Sequence, residues 1–100
     1  MPVVVGVDAG GTRTVAAVER GDDAPAAFVE AGANPNVYGV PAAAETIVTA
    51  ITRVLNGDVP DAIGVGAAGA GRSEMAHALE RALRIHFPAA RSNVPSNTAL

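Results

Sequence analysis

Val3-Val4-Val5-Gly6-Val7-Asp8-Ala9-Gly10-Gly11-Thr12-Arg13-Thr14-Val15-Ala16-Ala17-Val18 is the stretch on which the reading of this chain turns. Four valines around one glycine, at 3–7, predict a buried strand, because β-branched side chains suit a pleated, packed surface. The run breaks at Asp8-Ala9-Gly10-Gly11-Thr12, where two glycines permit a tight turn. A second strand is predicted over Arg13–Val18. The polar segment Glu19-Arg20-Gly21-Asp22-Asp23 reads as a hairpin turn, and Ala26–Glu30 as a third strand. Three strands joined by short turns within the first 30 residues predict an antiparallel meander.

Beyond the meander the period changes. Residues 31–39 have loop composition, with Asn-Pro-Asn at 34–36. Ile47, Val48, Ile51, Val54 and Leu55 then recur at helical spacing. Pro41 suits a first helical turn and Gly57 a position just past the end, so a helix is expected over about 41–56. Ala62-Ile63-Gly64-Val65-Gly66-Ala67 is a short buried strand. Ser73 is a candidate N-cap, with Glu74 at the favourable end of the helix dipole. Met75, Leu79, Ala82 and Ile85 continue a second helix that stops before Pro88, and a weak strand is expected around Ser92–Val94. The order β-β-β-α-β-α-β predicts an α/β fold, a mixed sheet with helices packed on it, and is the order of one ribonuclease-H-like domain.

Composition bounds the chemistry. One hundred residues make one domain the natural count. Seven Arg against ten acidic residues give a net charge of -3, which argues against a nucleic-acid binder working through a basic face. Hydrophobic residues reach 49%, too many for a disordered tail. With 22 Ala, 14 Val and only 3 aromatics, the core is broad but thin. The absence of Cys removes disulfides, thiolate metal sites and a Cys nucleophile within these residues. The absence of Lys removes a Schiff base and a Walker-type phosphate lysine. No apolar run reaches the ~18 residues a membrane span needs. The first residues read as a strand, not a signal peptide, so a cytoplasmic location is the expectation. His77 and His86 stand nine residues apart on one predicted helix. That is 2.5 turns, so they point to opposite faces and do not share a metal.

The turn at 8–14 carries the most chemistry. Gly-Gly-Thr between two strands presents backbone N–H groups and a hydroxyl in one direction, a suitable nest for phosphate oxygens. Asp8 at the strand end suits a hydrated Mg²⁺, which keeps its waters and takes few carboxylates. The loop is neither a Walker A motif, having no Lys and no following helix, nor a G-x-G-x-x-G fingerprint. Two glycines serve a plain tight turn equally well; the strand before them, Asp8 and Thr12 together favour the phosphate reading.

Val-Gly-Val-Asp-Ala-Gly-Gly-Thr-Arg-Thr resembles the first phosphate loop of the actin-like ATPase and sugar-kinase superfamily, and within it the BadF/BadG-type ATPases, which include N-acetylglucosamine kinases. Gly32-Ala33-Asn34-Pro35-Asn36 resembles that family's loop after the third strand, where an Asn sits close to the sugar. Gly66-Ala67-Ala68-Gly69-Ala70-Gly71-Arg72 resembles its Gly-rich turn after the fourth strand. The resemblance implies ATP and Mg²⁺ as cofactors, held by Asp8, Gly10, Gly11, Thr12 and Thr14, with Asp8 at the metal. It also implies an amino sugar such as N-acetylglucosamine as substrate, facing Asn34, Asn36, Gly69, Ala70 and Gly71. Asparagine amides both donate to and accept from sugar hydroxyls, although Asn-Pro-Asn is also common turn chemistry.

The family places a catalytic Asp after its fifth strand, where this chain has Asn97. An amide is not a proton acceptor at neutral pH. A slipped alignment, a tail foreign to the pattern after a truncation or frameshift, and a catalytically weakened relative all account for it. The resembled proteins close two such lobes around ATP. The expectation is therefore that residues 1–100 form the N-terminal lobe of a sugar kinase, not active alone, with the second lobe absent. An activator ATPase of the 2-hydroxyacyl-CoA dehydratase or benzoyl-CoA reductase type shares the first loop and is the alternative within the superfamily. A non-catalytic association module, forming a homodimer or pairing with a second lobe, is the alternative outside it.

Overall fold

Strand β1 (Val3–Ala9) lies at the centre of a five-stranded mixed sheet of order β3-β2-β1-β4-β5. Around it are β2 (Arg13–Arg20), β3 (Ala26–Ala31), β4 (Ala62–Ala67) and β5 (Arg91–Asn93). The structure, a computed structural model, describes residues 2–10, 12–21, 26–31, 39–67 and 73–94. Strands β1, β2 and β3 pair antiparallel, as the meander requires, while β4 runs parallel to both β1 and β5. The two parallel pairings need crossovers, supplied by helices α1 (Val40–Leu55) and α2 (Ser73–His86). This is the α/β class and the element order expected from sequence. β1 and β2 each run two residues past their apolar cores, and β5 ends at Asn93.

Strand register separates two faces. Val5, Val7 and Ala9 stand opposite Val18, Ala16 and Thr14 on one side and, in β4, opposite Ile63, Val65 and Ala67. Val5, Val7, Ala9, Val18, Ala16, Ile63 and Val65 are all buried in one cluster with residues from both helices. The alternate residues Val4, Gly6 and Asp8, with Glu19, Ala17 and Val15, face the other way and are exposed or partly exposed. Both helices supply their buried residues to one core, so among the described residues one face of the sheet is covered and the other is bare.

Helix α1 forms for the reasons its sequence suggests. Ala43, Ala44, Ile47, Val48, Ala50, Ile51, Val54 and Leu55 fall on one stripe and are buried. A fully buried Ile stabilises by ~1.5–3 kcal/mol through area removed from water. Gly39 precedes the helix at φ 84 and ψ 157, a region essentially restricted to glycine. Pro41 sits in the first turn, where its missing N–H costs nothing. The C-cap is Asn56, left-handed at φ 50, whose N–H bonds the Thr52 carbonyl at 3.3 Å, and Gly57 follows at C′ with φ 95, as expected. Asn is the residue after glycine that best tolerates this conformation.

Two long-range ties hold the end of the sheet remote from the β1–β2 hairpin. Arg20, the last residue of β2, donates to the Leu55 carbonyl at 2.9 Å and the Val54 carbonyl at 3.3 Å, and pairs with Asp58. A guanidinium on the last carbonyls of α1 complements the negative end of its dipole. Arg20 and Asp58 side chains are 28% and 47% exposed, so water screens the ion pair. The Arg20→Ala protein is expected to lose about 1–2 kcal/mol in urea unfolding, most of it from the carbonyl bonds. A loss below a few tenths would show that solvent replaces them. The second tie is Asp61: its carboxylate accepts from the Val3 N–H at 2.7 Å, its N–H donates to the Val3 carbonyl at 2.8 Å, and its carbonyl accepts from the Arg91 N–H at 3.0 Å. It thus joins the starts of β1, β4 and β5.

Candidate functional site

Chain direction brings the candidate residues to one end. β1, β3 and β4 are mutually parallel and finish at the edge where β2 begins. Arg20 holds the C-terminus of α1 at the opposite end, so the N-terminus of α1 lies at this edge. Helix α2 leaves the end of β4 and returns to the start of β5, which places its N-terminus here too. Carboxyl ends of parallel strands and amino ends of helices converge, the arrangement in which open α/β sheets take anionic ligands.

At this edge Asp8 lies opposite Val15 of β2 and Gly66 of β4. Its side chain is exposed on the bare face, and among the described residues it makes no hydrogen bond or ion pair. Gly66 gives it a neighbour with no side chain, so the carboxylate is approachable from above β4. The hairpin follows at once. The Gly10 N–H donates to the Arg13 carbonyl at 2.8 Å, closing the reversal between them. A Cβ at Gly10 would lie 3.0 Å from that carbonyl oxygen, closer than backbone tolerates without shifting. A side chain at Gly10 would therefore make the Arg13 carbonyl give way by a few tenths of an ångström. The Gly10 N–H is committed to the turn. The Thr12 side chain is exposed. Gly11 lies outside the described residues.

Thr14 goes elsewhere. It is fully buried and faces the helix-covered side, opposite Ala9, whereas Asp8 faces the bare side. Among the described residues its hydroxyl has no hydrogen-bond partner. The structure brings Asp8, Gly10 and Thr12 together and puts the sheet between Asp8 and the Thr14 side chain. The two-residue period of a strand carries this information: Thr14 shares a face with Ala16 and Val18, both core residues. A buried hydroxyl without a partner costs about 1–3 kcal/mol. Thr14→Val, nearly the same in shape, is expected to raise stability by about 1 kcal/mol, or ~4–8 °C in melting temperature. A lower melting temperature would mean the hydroxyl does bond in solution.

The remaining sequence candidates, Asn34, Asn36, Gly69, Ala70, Gly71 and Asn97, lie outside the described residues, as do Tyr38 and Arg72. His77 and His86 are both exposed, as expected, and His86 stacks at an angle near Phe87, with ring centroids 6.3 Å apart. Among the described residues no three His, Asp or Glu side chains gather to hold a metal, and no helix is long and apolar enough to cross a membrane. A single exposed carboxylate suits a cation that keeps most of its water, as Mg²⁺ does, and does not suit a dehydrated ion needing several ligands. No family model matches this chain, and no curated protein matches it.

Proposed function

We propose that this chain is the N-terminal lobe of an ATP-dependent sugar kinase with a ribonuclease-H-like fold, acting on an amino sugar such as N-acetylglucosamine. The observation that carries the reading is the hairpin edge: an exposed Asp8 at the end of the central strand, without a side-chain partner among the described residues, beside a tight turn in which a side chain at Gly10 would crowd the Arg13 carbonyl. The element order and the convergence of helix N-termini on that edge support it further.

In this reading Asp8 anchors a hydrated Mg²⁺ through its water shell. The Thr12 hydroxyl and backbone N–H groups of the hairpin would take phosphate oxygens. Asn34, Asn36 and the 69–71 turn take sugar hydroxyls. Bound ATP·Mg²⁺ supplies the phosphoryl group and the charge that stabilises its transfer. Asn97 holds no proton-accepting carboxylate, so the attacking hydroxyl needs a base from outside these residues. Phosphoryl transfer depends on positioning between two walls of a cleft, and this lobe supplies one.

Isothermal titration of the 100-residue chain with ATP, with and without Mg²⁺, and with N-acetylglucosamine tests the proposal. The expected result is magnesium-dependent nucleotide binding and sugar binding, without release of ADP. Nucleotide binding with no sugar binding would shift the assignment to an activator ATPase. Absence of both would overturn it.

A further inference from the structure

Arg13 opens β2 directly after the hairpin, and its side chain is exposed. Strand alternation sets it on the bare face with Val15, since Thr14 between them is buried on the other. That is also the face of Asp8. The register pairs Asp8 with Val15, so Arg13 is its diagonal neighbour, two residues nearer the turn. Across from Arg13 stands Gly10, joined to it by the hairpin bond and bearing no side chain. A carboxylate and a guanidinium thus share one open corner of the sheet, on residues roughly 7–8 Å apart. They form no ion pair, and among the described residues the Arg13 side chain has no hydrogen-bond partner. The other described arginines lie elsewhere. Arg20 and Arg53 are at the C-terminal end of α1, Arg81 and Arg84 in the second half of α2, and Arg91 at the start of β5. Among the described residues, Arg13 is therefore the one arginine at the edge where the helix N-termini converge.

We propose, resting on the kinase-lobe reading, that Arg13 binds phosphate oxygens beside the metal held by Asp8 and gives the lobe a metal-independent hold on a polyphosphate tail. Charges then alternate across the corner: carboxylate, hydrated cation, phosphate, guanidinium. Directly opposed side chains would pair and cancel, whereas the diagonal spacing leaves room for both ions between them. The missing side chain at Gly10 keeps the approach open. A guanidinium offers two parallel N–H donors to a phosphate and stays charged at any working pH. Asp8 acts on the ligand only through the metal, while Arg13 acts on the anion itself. The pair selects a polyanion, because an uncharged sugar gains nothing from either charge.

The test is calorimetric titration of the full 100-residue chain with inorganic tripolyphosphate and with ATP, each in Mg²⁺ and in EDTA. Arg13→Gln is expected to weaken both ligands about tenfold, in Mg²⁺ and in EDTA alike. The ratio between the two conditions, set by Asp8, is expected to stay as in the parent. Arg13→Lys keeps the charge and loses the fork, so its affinity is expected to fall between the two. Without ligand, Arg13→Gln is expected to melt where the parent does. Parent affinity in Arg13→Gln would overturn the assignment and leave the kinase-lobe reading standing. A lower melting temperature of the ligand-free variant would also overturn it, by showing that Arg13 pairs within the lobe itself. Tripolyphosphate binding that depends on Arg13, without ATP binding, would keep the anion site and end the nucleotide reading. A parent that binds neither ligand would end both.

Discussion

The Ile51→Ala protein is expected to unfold at much lower urea than the parent, with a stability loss of about 2–5 kcal/mol. Ile51 is fully buried in α1, in the cluster that joins the helix to the sheet. That cluster is rich in alanine, with Ala9, Ala16, Ala43, Ala44, Ala50 and Ala76 among its members. Short side chains cannot swing into a void, so the space left by the Ile stays open and its cost stays high. A domain of this size has about 5–15 kcal/mol in total, so the loss takes a large share of it. Equilibrium urea unfolding measures it directly. A loss under about 1 kcal/mol would show that the core relaxes around the gap.

The Asp8→Asn protein is expected to lose the magnesium dependence of nucleotide binding, with affinity for ATP in the presence of Mg²⁺ falling about tenfold or more. The substitution keeps the shape and removes the charge. The Asp8 side chain makes no hydrogen bond or ion pair among the described residues, so the melting temperature is expected to stay where it was. Binding and stability thus separate at this residue, the reverse of Ile51. Parallel titration of the two proteins with ATP and Mg²⁺ decides the matter. Equal affinity would remove Asp8 from the metal role and leave the hairpin as a plain turn.

Much of this fold is legible in local pattern. The spacing of Ile47, Val48, Ile51, Val54 and Leu55 marks α1 to within a residue or two, because one helical face must be buried. The first valine run and the two glycines mark β1 and its hairpin. Parallel pairing of β1 with β4 follows only once the chain is folded, since the crossover helix decides it. Arg20 reads as a turn residue in the sequence and Asp61 carries no local signal, yet they tie positions 35 and 58 apart. No local period reports such a bond. At the site, Asp8 and Gly10 are legible from residue type and position. Thr14 illustrates the opposite case: its chemistry invites a ligand role, while strand alternation assigns it to the core. Gly10 is a third kind: the sequence marks it as a turn glycine, while the commitment of its N–H to the Arg13 carbonyl is seen only in the fold.

Asp61 also bears on the order in which the molecule assembles. The meander closes through short turns, but the bonds from Asp61 to Val3 and Arg91 require both helical crossovers to be in place. Contacts between residues so distant in the chain form late, after the entropy of the intervening loops has been lost. Removing the Asp61 carboxylate is therefore expected to quicken unfolding while leaving the refolding rate nearly unchanged, which a chevron plot resolves. In that light Asp61 acts as a latch on the finished sheet: it governs how long the native state persists, and the hairpin at the other end is already formed before the latch engages.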